Sequence, residues 1–383
     1  MDFAESAEHG MLRSAVAKVV ADFGHEYFAR QVKADGYTHE LWQALGEAGF
    51  IGVNLPEQYG GGGQGIAELA IVTEETAAGG CPLLLLLVSA AICGEILKKY
   101  GSPEQQQRWL PALAAGTDRM VFAITEPDAG SNSHNISTHA QRDGDGWRLS
   151  GNKYYISGVD EASTMLVVAR TGQDSRGRAE LSLFVVDTDS PGLQRTRIPV
   201  EVGIPERQFQ VYLDEVHVDG DRLVGGVGAG LRALFTGLNP ERITGAAIAN
   251  GIGRYALAKA SRYGRERQVW SVPIGAHQGV AHPLATAAIE LELARLMTSK
   301  AAWMHDEGLD AGEASNMAKF AAGEASLAAL DSSIQAHGGN GMSSEYGLAD
   351  MWGLVRLLRI APVSREMVLN YVAQHTLGLP RSY

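Results

Sequence analysis

The sequence predicts a multidomain α+β protein with a helical N-terminal domain, a middle antiparallel β-barrel or sandwich, and a C-terminal four-helix bundle. Two observations support this prediction. The length of 383 residues suits two or three domains. The spacing of apolar residues is helical towards both ends of the chain and alternates in the middle. We therefore expect domains at residues 1–118, 119–228 and 229–383.

The N-terminal block contains apolar residues at helical spacing, for example over residues 15–23 and 41–50. A glycine-rich turn at residues 59–63 separates two of these predicted helices. Farther along, Ser102 precedes Pro103, and a serine before a proline is typical of a helix start. We expect Ser102 to cap a helix whose first residue is Pro103.

The middle block changes to a period of two. Apolar and polar residues alternate over 208–213, and the runs 164–168 and 181–186 are rich in β-branched and apolar residues. Turn pairs such as Asp143-Gly144 and Pro191-Gly192 lie between the runs. Strands at this spacing, without intervening helices, favour an antiparallel barrel or sandwich over a parallel sheet.

The C-terminal block begins after the glycine-rich stretch 225–230, where the helical period returns. Residues 285–303 and 314–334 form long, alanine-rich helical patterns, and the second is followed by Gly338 and Gly339, a typical helix end. Long amphipathic helices with short connections predict a helix bundle.

The composition excludes several functional classes. The chain has 32 basic and 44 acidic residues and a formal net charge of −12, which disfavours nucleic-acid binding through phosphate neutralisation. Its two cysteines, Cys81 and Cys93, lack the spacing of a disulfide framework or a structural zinc site. The most apolar stretch, residues 82–93, is too short to cross a bilayer. We expect a cytoplasmic protein without a membrane span.

Several motifs that would indicate other functions are either misplaced in this sequence or missing from it. The run Gly251-Ile252-Gly253-Arg254-Tyr255-Ala256 matches a degenerate dinucleotide fingerprint, yet it lies inside a helical pattern instead of after a strand. We expect its glycines to permit close helix packing. The eleven histidines show no paired ligand spacing, so we predict no metal site and structural roles for His277 and His337. A nucleophile elbow and a Walker motif are also missing, which removes support for a hydrolase or an NTPase.

Four ordered segments contain the hydroxyl, amide, aromatic and glycine residues that are most informative about a binding site in this chain. They are residues 122–132, 151–157, 267–278 and 335–341. The first enters a turn rich in hydroxyl and amide groups. In the second, Tyr155 precedes Ser157 by two positions, so one strand face can stack on a heterocycle and donate a hydrogen bond to its edge. Glycines in the fourth allow a ligand to approach the backbone.

In this order and at these separations, the four segments resemble those of the acyl-CoA dehydrogenase family, and the resemblance covers nearly the whole chain. It implies FAD as cofactor, an acyl-CoA as substrate, an electron-transfer flavoprotein as electron acceptor and a homotetramer built from two dimers. It also implies a role in fatty-acid β-oxidation. The residues that the resemblance assigns to FAD are Phe122, Ile124, Thr125, Gly130, Ser131, Tyr155, Ile156, Ser157, Arg267, Trp270, Gln278, Gln335, Gly338 and Gly339.

The family reaction removes a proton from the α-carbon of the thioester and a hydride from its β-carbon. Many members use a late glutamate as the base, but Pro362 occupies that place here, and proline cannot accept a proton. A minority, including enzymes that act on isovaleryl-CoA and long-chain acyl-CoA, carry the base at the start of the first bundle helix. The run Asn239-Pro240-Glu241-Arg242 matches that position.

Glu241 is therefore the predicted catalytic base, with Ser131, Asn239 and Arg242 as the predicted substrate-binding residues. A solvated glutamate favoured by the dipole at a helix start is the ordinary alternative. Glu366, one helical turn beyond Pro362, is the rival base.

Three further positions depart from the family pattern. Asn132 replaces an aspartate, while Asp350 and Leu354 stand where a basic and an acidic residue are usual. These departures keep two alternatives open. One is a flavin-dependent monooxygenase or oxidase on the same fold, and the other is a non-catalytic subunit of a mixed assembly.

Overall fold

A computed structural model of the chain describes residues 5–381 apart from residues 174 and 176. The N-terminal part of the described chain is helical, as predicted. Its elements are α1 (Ala7–Ala21), α2 (Gly24–Lys33), α3 (His39–Glu47), α4 (Ile66–Ala78), a π-helical segment (Leu86–Gly94), α5 (Glu95–Tyr100) and α6 (Pro103–Ala114). The predicted start of α6 is confirmed, because the Ser102 side chain accepts a hydrogen bond from the backbone N–H of Gln105 at 3.2 Å.

The middle part is a β-structure that lies between two helical parts, so the predicted fold class is confirmed. Its strands are β1 (Met120–Ala123), β2 (His139–Asp143), β3 (Gly146–Ser157), β4 (Thr164–Gln173), β5 (Ala179–Asp187), β6 (Leu193–Ile198), β7 (Gln208–Val218) and β8 (Leu223–Val224). Along the sheet the order is β6-β7-β3-β2-β4-β5-β8, and β1 pairs with β4. Most pairings are antiparallel, but β1–β4 and β2–β4 are parallel, which their long connections allow.

The C-terminal part is a helix bundle. It contains α7 (Gly230–Glu266), a hairpin of β9 (Gln268–Val269) and β10 (Val272–Pro273), α8 (Gln278–Asp306), α9 (Gly312–His337), α10 (Trp352–Ile360) and α11 (Arg365–Tyr371). Helix α9 ends as predicted, at Gly338, whose φ of +59° is a conformation that glycine adopts readily.

The helix that bears Glu241 starts earlier than the sequence suggested. We expected residues 239–242 to begin the first bundle helix, but α7 begins at Gly230 and continues through Pro240. A proline inside a helix removes one backbone hydrogen bond, and packing on the neighbouring helices compensates for that loss. Because Glu241 lies well inside the helix, the idea that it is a solvated glutamate stabilised at a helix start is wrong.

The glycines of the dinucleotide-like run serve packing, as expected. A Cβ on Gly251 would lie 2.3 Å from the carbonyl oxygen of Glu74 in α4, and one on Gly253 would lie 2.8 Å from Leu291 in α8. Larger residues would force these helices apart.

A buried ion pair joins the exit of β1 to strand β3. Lys153 is fully buried, and its Nζ lies 2.8 Å from Oε1 of Glu126 and 3.2 Å from the carbonyl oxygen of Ile124. The Glu126 carboxylate also accepts hydrogen bonds from the N–H groups of Ser137 and Thr138. Burial acts to raise the pKa of Glu126, but Lys153 and these hydrogen bonds outweigh it and lower the pKa to about 2. Both groups are therefore charged and mutually dependent at neutral pH.

No helix among the described residues is both long enough and apolar enough to cross a membrane.

Loss of the Lys153 ammonium should destabilise the chain strongly, because Glu126 would remain as a buried charge without its cation. We expect Lys153→Met to lower the free energy of unfolding by about 3–5 kcal/mol at pH 7, measured by denaturant titration. Lys99→Met, at an exposed lysine, is the matched control and should change it by less than about 0.5 kcal/mol. Equal midpoints for the two variants would show that the ion pair is dispensable.

Candidate active site

Tyr155 is held outward by an irregularity in strand β3. Between Lys153 and Ile156 the strand contains one more residue than its partner β7, which is a β-bulge. Tyr155 has a φ of +57°, in the left-handed region that non-glycine residues rarely adopt. Its side chain is 54% exposed, whereas the next residue, Ile156, is buried. The bulge thus presents an aromatic ring at the surface at some conformational cost, as is common at binding sites.

The turn after β1 lies beside this bulge. The carbonyl oxygen of Thr125 accepts a hydrogen bond from the N–H of Tyr154 at 2.8 Å, so the first and second predicted segments are in direct contact. Ser157 is partly buried, and its hydroxyl donates to Oε1 of Gln208 at 2.9 Å. Gln208 was not predicted from the sequence, because its contact with Ser157 depends on the pairing of β3 with β7.

The remaining residues of the first segment differ in exposure. Phe122 is buried in β1, and Ile124 and Thr125 are partly buried after it. Gly130 and Ser131 are exposed, and nothing lies within 4 Å of a Cβ built on Gly130. This edge of the site is open to a ligand.

The third segment surrounds the β9–β10 hairpin. Arg267 follows the end of α7, Trp270 lies in the turn and Gln278 is the first residue of α8; all three are exposed. Trp270 is 89% exposed and has a φ of +58°. Like Tyr155, it is an uncovered aromatic residue in a left-handed backbone conformation.

The fourth segment follows α9. Gln335, Gly338 and Gly339 are exposed, and no atom lies within 4 Å of a Cβ built on either glycine. Asn340 fastens the turn, since its amide donates to the hydroxyl groups of Tyr263 and Tyr346 at 3.0 and 3.1 Å.

A cleft of about 430 Å³ joins the third and fourth segments. Its lining consists of Lys259, Arg262, Tyr263, Glu266, Arg267, His337, Asn340, Glu345 and Tyr346. Three of these residues are cationic and two, Glu266 and Glu345, are acidic, so the cleft has a small excess of positive charge, which suits a phosphate group. Within one chain, no hydrogen bond, ion pair or ring contact between described residues connects Arg267 with the group around Thr125 and Tyr155. The predicted cofactor-binding residues therefore fall into two groups, and no described contact within one chain joins them.

Glu241 lies on α7 at the junction of three elements. A Cβ on Gly245, one helical turn farther, would lie 3.4 Å from Leu87 of the π-helical segment and 3.6 Å from Cδ of Pro362. Cys93 of the same π-helical segment is close enough for the charge of Glu241 to raise the thiol pKa in addition to burial. Leu87 and Pro362 thus cover α7 one helical turn beyond Glu241, on the face that carries it.

The environment of Glu241 stabilises the protonated carboxyl more than water does, so that both protonation states are populated near neutral pH. Burial raises its pKa from 4.5 to about 7, and the nearby Arg242 opposes this effect only in part. Arg242 donates to Oδ1 of Asn239 at 3.1 Å. Among the described residues, Glu241 forms no hydrogen bond or ion pair through its carboxylate, so the group is free to exchange a proton.

The rival base lies in a different environment. The Glu366 side chain is 73% exposed in the first turn of α11, 3.8 Å from Arg365. An exposed carboxylate keeps its water shell and is a poor base for a weakly acidic carbon. The geometry therefore favours Glu241 over Glu366.

The departures from the family pattern have structural explanations at two positions. Asp350 accepts a hydrogen bond from Nε2 of His25 at 2.8 Å, which connects the end of the bundle to α2. Leu354 is fully buried in α10. At the third position, exposed Asn132 accepts the N–H of Asn135 through its backbone carbonyl, so its side chain is not part of that bond.

Comparison with known proteins identifies similar chains over the full length. Three family models match in order: "Acyl-CoA dehydrogenase, N-terminal domain" over residues 6–117, "middle domain" over 121–216 and "C-terminal domain" over 228–377. Acyl-CoA dehydrogenase FadE12 of Mycobacterium tuberculosis is 56% identical over 383 residues, covering 100% of this chain and 99% of the relative.

Two solved structures show the same fold. The glutaryl-coenzyme A dehydrogenase–glutaryl-CoA complex has a TM-score of 0.94 at 31% identity and covers 100% of this chain and 98% of its own. The FAD complex of PigA has a TM-score of 0.92 at 25% identity, covering 99% of this chain and 100% of its own.

Glu241 is partly buried, and the resulting rise in its pKa should make folding stability depend on pH. Because the folded-state pKa is raised above 4.5, stability falls as pH rises from about 4.5 to about 7 and stays lower above it. The shift corresponds to about 3 kcal/mol, which partial exposure reduces to about 2 kcal/mol. We expect Glu241→Gln to remove this loss, so that the variant gains about 2 kcal/mol relative to the native chain between pH 4.5 and 8.

Denaturant titrations at both pH values measure this gain. Glu366→Gln is the control, because an exposed glutamate should leave the pH dependence unchanged. Parallel pH curves for Glu241→Gln and the native chain would contradict the buried position of Glu241.

Proposed function

The chain belongs to the acyl-CoA dehydrogenase family and is a flavoprotein oxidoreductase that uses FAD, and we propose that Glu241 is its catalytic base. In this proposal the substrate is an acyl-CoA thioester and the product is the trans-2-enoyl-CoA. The observation that carries the proposal is the position of Glu241 on α7, beside the helix face covered by Leu87 and Pro362, where burial raises the pKa of its partly buried carboxyl to about 7.

The residues of this chain fit FAD. Tyr155 and Trp270 are exposed aromatic side chains in left-handed backbone conformations, which is unusual unless a ligand covers them. Gly130, Gly338 and Gly339 leave open space for close approach. The cationic cleft beside Arg267 suits a pyrophosphate. These features support the assignment of the first and second segments to the isoalloxazine ring, and of the third and fourth to the phosphate and adenosine parts.

Individual roles follow from this arrangement. We assign the isoalloxazine ring to Phe122, Ile124, Thr125, Gly130, Ser131, Tyr155, Ile156 and Ser157. We assign the pyrophosphate and adenosine to Arg267, Trp270 and Gln278, with Gln335, Gly338 and Gly339 reaching the FAD of a neighbouring subunit. When bound, FAD supplies the acceptor for the β-hydrogen and its electron pair.

The protein side of the reaction is a proton transfer. The ionised Glu241 carboxylate takes the proton from the substrate α-carbon as the β-hydrogen leaves with both electrons of its bond. A base with a pKa near 7 is stronger than an ordinary glutamate yet is substantially ionised at neutral pH. Leu87 and Pro362 limit access of water to this face of α7, which keeps the carboxylate reactive.

Substrate binding is assigned to Ser131, Asn239 and Arg242. Arg242 is oriented by its hydrogen bond to Asn239, and it provides a partly buried cation close to the base. A cation there can pair with an anionic group of CoA. In line with the family resemblance, we assign the electrons to an electron-transfer flavoprotein, the pathway to fatty-acid oxidation and the enzyme to the cytoplasm.

An exposed apolar stripe on α8 supports assembly into a homotetramer. Ile289, Leu293, Leu296 and Trp303 lie on one face of the helix and are 46–63% exposed. Apolar stripes of this kind are usually covered by another chain. We place the contact between two dimers on this face.

Replacement of Glu241 should prevent reduction of bound FAD by substrate. We expect Glu241→Gln to retain FAD but to slow anaerobic flavin bleaching by a panel of acyl-CoA thioesters by at least about 100-fold. In the native enzyme, the bleaching rate should rise with pH through about 7, because the base must be ionised. The flavin of Glu366→Gln should bleach at the native rate. Slow bleaching in Glu366→Gln together with native-rate bleaching in Glu241→Gln would assign the base to Glu366.

A charge on the α8 stripe should disrupt the assembly. We expect Leu293→Glu to shift the protein from tetramer to smaller species in size-exclusion chromatography with light scattering, because the charge would lose its water at the interface. Met11→Glu, at an equally exposed apolar residue of α1, is the control and should remain tetrameric. A tetrameric Leu293→Glu variant would place the interface elsewhere.

A further inference from the structure

One buried lysine of α9 holds the turn between α10 and α11, which contains Pro362. Lys319 is 3% exposed, and its Nζ donates to the carbonyl oxygens of Val363 at 2.5 Å and Arg359 at 3.2 Å. These two carbonyl groups lie on either side of Pro362. A single ammonium group therefore fixes both ends of the turn between α10 and α11.

The outer side of the same turn is held by Glu324, five residues after Lys319 on α9. Its Oε1 accepts hydrogen bonds from Nε of Arg359 at 2.5 Å and Nε of Arg365 at 2.9 Å. On α9, Gly323 lies between Lys319 and Glu324. It lets the backbones of α9 and α10 approach closely, because a Cβ on Gly323 would lie 3.2 Å from the carbonyl oxygen of Leu358. We call residues 359–365 the Pro362 turn.

The position of the Pro362 turn determines how α7 is covered beside Glu241. Pro362 lies over Gly245, one turn along α7 from Glu241. A displaced Pro362 would leave that helix face open to water. Lys319 thus connects α9 to the surroundings of the Glu241 carboxyl group, although it does not contact that group directly.

We propose that Lys319 is a positioning residue, which holds the Pro362 turn over α7 so that Pro362 excludes water from Glu241. This inference rests on the proposed role of Glu241 and extends it to a residue that the four sequence segments do not include. Lys319 acts through backbone carbonyl groups, so its effect on the base is indirect.

The cost of burying Lys319 supports a specific role. Burial lowers the pKa of its ammonium to about 8, and Glu366 and Glu324 offset this only in part. Burying a lysine has a larger desolvation cost than burying an apolar residue of similar volume. The hydrogen bonds to the two carbonyl groups are the contacts that an apolar residue could not make.

Several charged and titratable groups surround the base. Arg242 follows Glu241 on α7, and Cys93 faces it from the π-helical segment. Lys319 of α9 and Tyr371 of α11 lie near Arg242. Loss of the Lys319 charge alone would raise the pKa of Glu241, whereas entry of water would lower it. The two effects therefore have opposite signs and can be distinguished.

The first test measures the burial of Glu241 without the reaction. Glu241→Gln is introduced into the native enzyme and into Lys319→Met, and denaturation midpoints are compared at pH 4.5 and 8. We expect the pH-dependent gain from Glu241→Gln to fall by at least about half in the Lys319→Met background, because the carboxylate is then hydrated. An undiminished gain would overturn the inference, whichever residue is the base.

The second test measures the base itself. Lys319→Met should move the acid limb of the flavin-bleaching rate by roughly one pH unit towards lower pH, and hydrogen exchange should show loss of amide protection in residues 359–365. Lys319→Arg, which keeps the charge and donors, should restore both. Lys18→Met, at an exposed lysine of α1, is the matched control.

The outcomes separate the two proposals. An acid limb that stays in place or moves to higher pH, with the amides exchanging faster, would overturn the water-excluding role. If Glu241→Gln bleaches at the native rate, the base assignment fails, while the first test still decides the role of Lys319. Pro362→Gly should move the acid limb of the flavin-bleaching rate towards lower pH even though Lys319 is intact. This variant replaces Lys319→Met if Lys319→Met does not fold. An unshifted acid limb in Pro362→Gly would again overturn the inference.

Discussion

The buried contact between Lys153 and Glu126 is the constraint on which the proposed flavin-binding surface depends. It joins the turn after β1 to the strand that carries Tyr155 and Ser157. Neither charge has another partner of opposite sign at comparable distance among the described residues, so each requires the other. With these two segments fixed, the bulge of β3 has a defined position, and Tyr155 can be held outward in an unfavourable backbone conformation.

The acid–base side of the site shows the opposite relation between burial and charge. Glu241 has no hydrogen bond through its carboxylate among the described residues, and burial, which Arg242 offsets only in part, raises its pKa. Such a group reduces the stability of the folded chain at neutral pH, and the same property makes it a stronger base. The residues that cover this part of α7 come from distant parts of the chain, since Leu87 and Pro362 both contact the helix beside Gly245.

The sequence predicted most of the fold, and it provided the candidate site residues, because these features have local signals. The change in hydrophobic period identified the three parts of the chain, and Ser102 before Pro103 identified a helix start. The start of α7 was misjudged because the match to the family placed residues 239–242 at the helix start, whereas α7 begins at Gly230 and contains Pro240 in its interior. Asp350 looked anomalous until its partner His25, far away in sequence, was known.

The sequence by itself determined the order of helical and β parts, the family resemblance and the choice of Glu241 and Glu366 as candidate bases. Only the tertiary structure decided between their environments, because exposure depends on which elements pack together. The same is true of Lys319, an unremarkable lysine in an alanine-rich helix whose partners are carbonyl groups about forty residues away. Local periodicity reports which side of a helix is apolar, but not which backbone atoms or water molecules will meet it.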